Sequence, residues 1–152
     1  MPQALINKIS WEQAQDLILK DSSQQLLIDL RSPLEFGKGS IPGSLNLCLL
    51  NNNERQEIGL IYKQEGKEKA LQKGLELFSY KAQAFLNQII ALSPQNKTLV
   101  LYCWRGGMRS FLVTLWLQKL GFICLQIEGG YQSYRKYVLK NLERLSSHRL
   151  LI

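Results

Sequence analysis

Three short apolar runs alternate along the chain with segments of helical pattern, and that alternation leaves few folds open. "QLLIDL" (25–30), "KTLVLY" (97–102) and "FICLQI" (122–127) are too short for helices. Each reads as a strand buried on both faces, the habit of a parallel sheet covered by helices. Parallel neighbours need long crossovers, and the segments between supply them. In "SWEQAQDLIL" (10–19) Ser10 can cap a helix carrying Trp11, Ala14, Leu17 and Ile18 at helical spacing. "SPLEFGKGSIPGSLNL" opens with Ser-Pro at a helix start, is punctuated by Gly and Pro, and ends in a short extended piece. Residues 51–65 and 66–92 read as helices, with Leu71, Leu75 and Phe78 on one stripe and Ala82, Phe85, Leu86, Ile89 and Ile90 on another. Gly66 and Gly74 are expected breaks or weak points. "MRSFLVTLWLQKL" (108–120) is apolar almost all round, which predicts an internal helix ended by Gly121. The last helix places Tyr131, Tyr134, Val138, Leu142 and Leu145 on one face and Lys136, Lys140 and Arg144 on another. The class is α/β, with a mainly parallel central sheet flanked by helices.

The 152 residues suffice for one full core, and no stretch approaches the roughly 20 apolar residues of a membrane span. "MPQALINKISWEQAQ" lacks a basic region followed by an apolar core, so no signal peptide is expected and the expected location is the cytoplasm. Three cysteines (Cys48, Cys103, Cys124), no CxxC and a single histidine, His148, leave no material for a disulfide framework, a metal site or a histidine triad. A net charge of +7 suits an acidic partner such as nucleic acid or a phosphorylated small molecule, and equally a plain basic surface.

Open α/β sheets form their sites at the carboxyl ends of the strands. Asp29 and Cys103 each close an apolar run, which puts them on one rim. After Cys103 comes "WRGGMRS", a loop into the next helix. Gly106 and Gly107 permit backbone conformations other residues resist. Backbone N–H groups and the helix start then form an anion site, with Arg105 and Arg109 adding charge. A thiol in such surroundings ionises more readily than a free cysteine and is nucleophilic. Trp104 and Met108 are expected to wall the pocket, with base stacking a second role open to Trp104. Cys48 and Cys124 sit inside apolar runs and read as core.

"LLIDLRSPLEFGKGSIPGSLNL", "YCWRGGMRS" and "EGGY" together resemble the rhodanese-like domain, from about residue 10 to 140. The matching residues are Asp29 and Arg31, the Glu35–Phe36 pair, the turn at Gly39, Ile41, Pro42 and Gly43, and the cysteine loop. The resemblance implies a three-layer sandwich, Cys103 as the catalytic cysteine, residues 104–109 as the substrate loop, and Asp29 and Arg31 as supports of the neighbouring loop. "NNNERQEIGLIYKQEGKEKALQKGLEL" and "CWRGGMRS" further resemble the bacterial tRNA 2-selenouridine synthases. Those enzymes are described as replacing sulfur by selenium in wobble-position 2-thiouridine, with selenophosphate, by way of a geranylated intermediate. The implied organisation is a rhodanese-like domain over 1–140 with a helical insert at 51–93. Residues 141–152 then form a helix end and linker toward a P-loop domain or subunit, and the terminal "LLI" would begin that domain's first strand.

Two departures bear on chemistry. The loop is Cys-x5-Arg where ordinary sulfurtransferase loops resemble Cys-x4-Arg, a wider ring suited to a tetrahedral oxyanion. No G-x-x-x-x-G-K-[ST] occurs in the chain, so the expectation is either a fragment or a split protein whose partner supplies the P-loop, and geranyl transfer is not expected of this chain alone. The implied partners are tRNA, through Lys136, Lys140 and Arg144 and a second cluster at Lys63, Lys67, Lys69 and Lys73, and a selenophosphate supply. No metal and no tightly bound cofactor are expected; selenophosphate or a persulfide donor is substrate. The alternatives are a general thiosulfate or persulfide sulfurtransferase, a Cys-x5-Arg phosphatase or arsenate reductase, and a non-catalytic binding module.

Overall fold

The computed structural model describes residues 6–93 and 96–149, with backbone alone at 148–149. His148's side chain and the terminal "LLI" lie outside the described residues. In chain order the elements are β1 (Lys8–Ile9), α1 (Trp11–Lys20), β2 (Gln25–Asp29), α2 (Pro33–Gly37), β3 (Leu45–Asn46), α3 (Asn52–Glu65), α4 (Lys67–Leu92), β4 (Thr98–Tyr102), α5 (Met108–Lys119), β5 (Cys124–Ile127) and α6 (Gly130–Arg149).

The strands form one parallel sheet in the order β1-β5-β4-β2-β3. The register pairs Asp29 with Tyr102 and Leu99 with Cys124. Central β4 explains its own sequence: Leu99 and Leu101 enter one core layer, Val100 and Tyr102 the other, and all four are fully buried. One layer packs Phe85 and Ile89 of α4 and Val113 and Leu117 of α5 on the sheet. The opposite layer packs Trp11 and Ala14 of α1 with Ile41, Ile127 and the α6 tyrosines. This is the expected α/β sandwich. Among the described residues no helix is long and apolar enough to cross a membrane.

Local signals place the helix starts. Ser10, Ser32 and Asn51 each close a capping box with the side chain three residues on, satisfying N–H groups the helix cannot. Gly66 separates α3 from α4, as its sequence suggests. Gly74 does not interrupt α4.

Four expectations are corrected. β1 is an unforeseen edge strand, paired with β5 through Lys8 and Ile9, too short for any pattern to reveal. α5 is not internal all round: Ser110, Val113, Thr114 and Leu117 are buried, but Met108 is exposed. On α6 the tyrosines pack on Trp11, whereas Leu142 and Leu145 are exposed. Cys124 is core, while Cys48 is only half-buried.

Candidate active site

Cys103 is the first residue past β4, at the carboxyl rim of the sheet, and the loop 103–107 delivers the chain into α5 at Met108. Cys103 is 2% exposed. Among the described residues the backbone N–H groups from Trp104 to Arg109 donate to no other protein atom, so they remain free for an anion. The start of α6 clamps the loop from behind. Tyr131 N–H donates to the Cys103 carbonyl at 2.8 Å and Gln132 N–H to the Trp104 carbonyl at 2.9 Å. This closeness accounts for two glycines. A Cβ at Gly106 (φ +67°) would lie 2.8 Å from Gly129 N, and one at Gly130 (φ +53°) would overlap the Cys103 carbonyl.

Beneath the thiol lies a buried polar chain. Cys103 Sγ is 3.0 Å from Ser110 Oγ, and Gln126 Nε2 donates to Ser110 Oγ at 2.6 Å and to the Gly106 carbonyl at 3.2 Å. Sequence reading missed both partners. The available signal was a glutamine inside the apolar run "FICLQI", since a buried amide demands hydrogen-bond partners.

Arg109, expected to add charge to the anion loop, also meets an acid. Its guanidinium is closed on Glu35 of α2, Nη1 to Oε2 at 2.9 Å and Nη2 to Oε1 at 3.1 Å. Glu35 also accepts from the Ser32 N–H and hydroxyl. Burial resists ionisation of that carboxyl, but the Arg109 fork and the Ser32 bonds outweigh it and hold its pKa at about 2. Arg109 therefore ties the helix after the loop to α2, and of the loop's two arginines Arg105 is the one that is exposed and has no acidic partner among the described residues.

Asp29 and Arg31 form a buried ion pair at 2.7 Å. Arg31 also donates to the Gly39 carbonyl and lies under the Tyr131 ring, 4.2 Å from its centroid. The pair joins the end of β2, the turn after α2 and the start of α6. Trp104 is half-buried and packs at 37° on Tyr131, with centroids 5.8 Å apart. Tyr102 sends its hydroxyl to Ser44 and accepts from Ile41 N–H, so it serves the turn rather than the thiol. Among the described residues no cluster of three metal-ligating side chains occurs.

Cys103, Trp104 and Arg105 open onto a cleft of about 760 Å³. Its walls are apolar: Ile58, Leu71 and Phe78 from the α3–α4 pair face Leu112 and Trp116 of α5. This explains the apolar outer face of α5, which lines the cleft instead of a closed core. A smaller cleft of about 270 Å³ is lined by Glu12 of α1 and by Ser133, Lys136, Lys140, Asn141 and Arg144 of α6. Of the second basic cluster, Lys69 is engaged by Glu65, and Lys73 by Glu57 and Glu76.

The rhodanese-like domain model matches residues 10–137, and the chain belongs to that family. Within it, the chain is similar to tRNA 2-selenouridine synthases. It is 41% identical to that of Nitrosomonas europaea over 127 residues, 83% of this chain and 33% of the relative. It is 44% identical to that of Nitrosomonas eutropha over 128 residues, again 83% and 33%. The chain thus spans about a third of the length of these relatives. Among solved structures, the N-terminal domain of a Clostridium difficile protein assigned as ATP/GTP-binding superposes with a TM-score of 0.80 at 38% identity, covering 88% of this chain and 99% of that one.

Proposed function

We propose that the chain is the chalcogen-transfer domain of a tRNA 2-selenouridine synthase, moving selenium from selenophosphate to wobble-position 2-thiouridine through Cys103. The observation that carries this reading is the position of Cys103, where a loop with free N–H groups meets an apolar cleft built by the insert helices. The loop suits the tetrahedral anion, and Arg105 adds charge. The cleft suits the geranyl group of the intermediate described for these enzymes.

The chemistry balances as phosphoryl transfer to sulfur. The Cys103 thiolate attacks the phosphorus of selenophosphate, an S–P bond forms, and the P–Se bond breaks with its electron pair leaving as hydrogen selenide. Selenide adds at C2 of the geranylated base and expels the geranyl thiolate. Water then cleaves the S–P bond and releases phosphate. With thiosulfate the same thiolate takes the outer sulfur, and the electron pair leaves on sulfite. Lys136, Lys140 and Arg144 would meet tRNA phosphates, and a P-loop domain or subunit would supply the geranyl transfer. Such a reaction belongs in the cytoplasm, where thiols stay reduced. The pairing of Arg109 with Glu35, and a Tyr102 hydroxyl turned to Ser44, speak against a Cys-x5-Arg phosphatase.

The test is intact mass after exposure to selenophosphate and, separately, to thiosulfate, beside Cys103→Ser. The expected result is a phosphoryl-sized mass gain from selenophosphate that the variant lacks. An adduct from thiosulfate alone would replace the reading with a general sulfurtransferase. No adduct from either would overturn it.

A further inference from the structure

Cys103 is held against a hydroxyl whose direction the surrounding bonds dictate. The Gly106 carbonyl can only accept, so the Gln126 group 3.2 Å from it must be the amide nitrogen. That nitrogen's other hydrogen points to Ser110 Oγ at 2.6 Å, which makes Ser110 an acceptor there. Ser110 has one hydrogen left and two places for it: Cys103 Sγ at 3.0 Å and the Gly107 carbonyl at 3.4 Å.

We propose that Ser110 is the donor that holds Cys103 as a thiolate, and that Gln126 is the positioning residue that aims it. With the thiol protonated, S–H donates to the second lone pair of Ser110 Oγ and the hydroxyl turns to Gly107. When the proton leaves to solvent, the hydroxyl turns to sulfur. A hydrogen bond to an ionised acceptor is about twice as strong as one to a neutral group, so this rotation favours the thiolate. Ser110 and Gln126 are fully enclosed, so water cannot replace the bond. The second amide atom, Gln126 Oε1, has no partner among the described residues, a cost the site bears to keep the nitrogen aimed.

The charged and titratable groups around the loop are Arg105, the Arg109–Glu35 pair with Arg55 3.6 Å from Glu35, the Asp29–Arg31 pair, Tyr102, Glu128 and Tyr131. Tyr62, Lys67 and Lys119 line the adjoining cleft. None is altered by changes at 110 or 126. The inference rests on Cys103 reacting as a thiolate, as in the proposed function, but not on which donor it meets.

The experiment is the pH dependence of iodoacetamide alkylation at Cys103, read by site-resolved mass spectrometry, in the unaltered protein, Ser110→Ala, Ser110→Thr and Gln126→Met. Ser110→Ala is expected to raise the midpoint by about one pH unit, slowing alkylation about tenfold below it while the high-pH plateau stays within about twofold. Ser110→Thr keeps the midpoint, and Gln126→Met raises it by less. A rate lowered equally at every pH, or an unmoved midpoint in Ser110→Ala, overturns the proposal. So does a Ser110→Thr midpoint displaced as far as that of Ser110→Ala. An unmoved midpoint in Gln126→Met overturns the aiming role, and serves as the test if circular dichroism shows Ser110→Ala unfolded. A shifted midpoint without adducts from selenophosphate or thiosulfate would sink the proposed function alone.

Discussion

Replacing Gly130 by alanine should damage both stability and site, because one methyl meets backbone that cannot step aside. The added Cβ overlaps the Cys103 carbonyl and lies 2.8 Å from Gly106 N and 3.0 Å from Cys103 C. All three atoms belong to the cysteine loop, and Tyr131 N–H holds that loop at 2.8 Å from the next residue. The left-handed conformation at φ +53° costs a non-glycine residue about 1–2 kcal/mol. Forcing a methyl into packed surroundings adds about 1–3 kcal/mol. The sum is about 2–5 kcal/mol, a large part of a typical domain's stability of about 5–15 kcal/mol. Gly121→Ala is the control, since Gly121 has φ +96° but nothing within 4 Å of an added Cβ. It bears the conformational cost alone. Urea denaturation read by tryptophan fluorescence gives both values, with an unchanged slope showing that stability rather than compactness moved. Alkylation of Cys103 should change in Gly130→Ala and not in Gly121→Ala. Equal destabilisation by the two would refute the claim that the start of α6 clamps the loop.

The Glu35 carboxyl ionises at about 2 when folded against an ordinary 4.5, so its ion pair contributes fully above about 4.5 and is lost as pH falls toward about 2. Glu35→Gln should therefore cost about 2–3 kcal/mol at pH 7 and little once the pH is below about 2, seen as urea midpoints that converge in acid. Gly74→Ala should stabilise the protein by about 0.5–1 kcal/mol, since α4 is helical there and the new Cβ meets only Ile58 Cδ1 at 4.0 Å; a melting temperature that fails to rise would contradict this. Burial pushes the Cys124 thiol up to about 12, so a disulfide reagent at pH 8 should leave it unlabelled until guanidinium unfolds the chain.

The layout of the fold was legible in the chain itself. β2, β4 and β5 had to be apolar along their length because a central parallel strand is covered on both faces, and that requirement is local and visible. Position 103 followed from the same pattern, since a residue closing a buried strand stands at the carboxyl rim. Gly66 announced its break because a positive φ of +98° is tolerated there by glycine alone. Where signals failed, the deciding contact was distant. The neighbours of Arg109 in the loop suggest an anion site but say nothing of its acidic partner. Only folding brings Glu35, 74 residues away, within hydrogen-bond reach, and the ion pair with a half-buried carboxylate then claims the guanidinium. β1 and the exposed end of α6 were likewise unreadable, since two residues carry no period and an apolar stripe does not say whether a neighbour covers it.

What the sequence determined by itself is the α/β order, the place of the cysteine and the loop's glycines, because burial and backbone freedom act on each residue where it stands. Tertiary structure alone decided which of the loop's two arginines is paired, that Ser110 and Gln126 stand beneath the thiol, and that the α3–α4 pair leaves an apolar cleft beside it. Those outcomes turn on competition for partners and on gaps between packed surfaces, and neither is a property of any one segment.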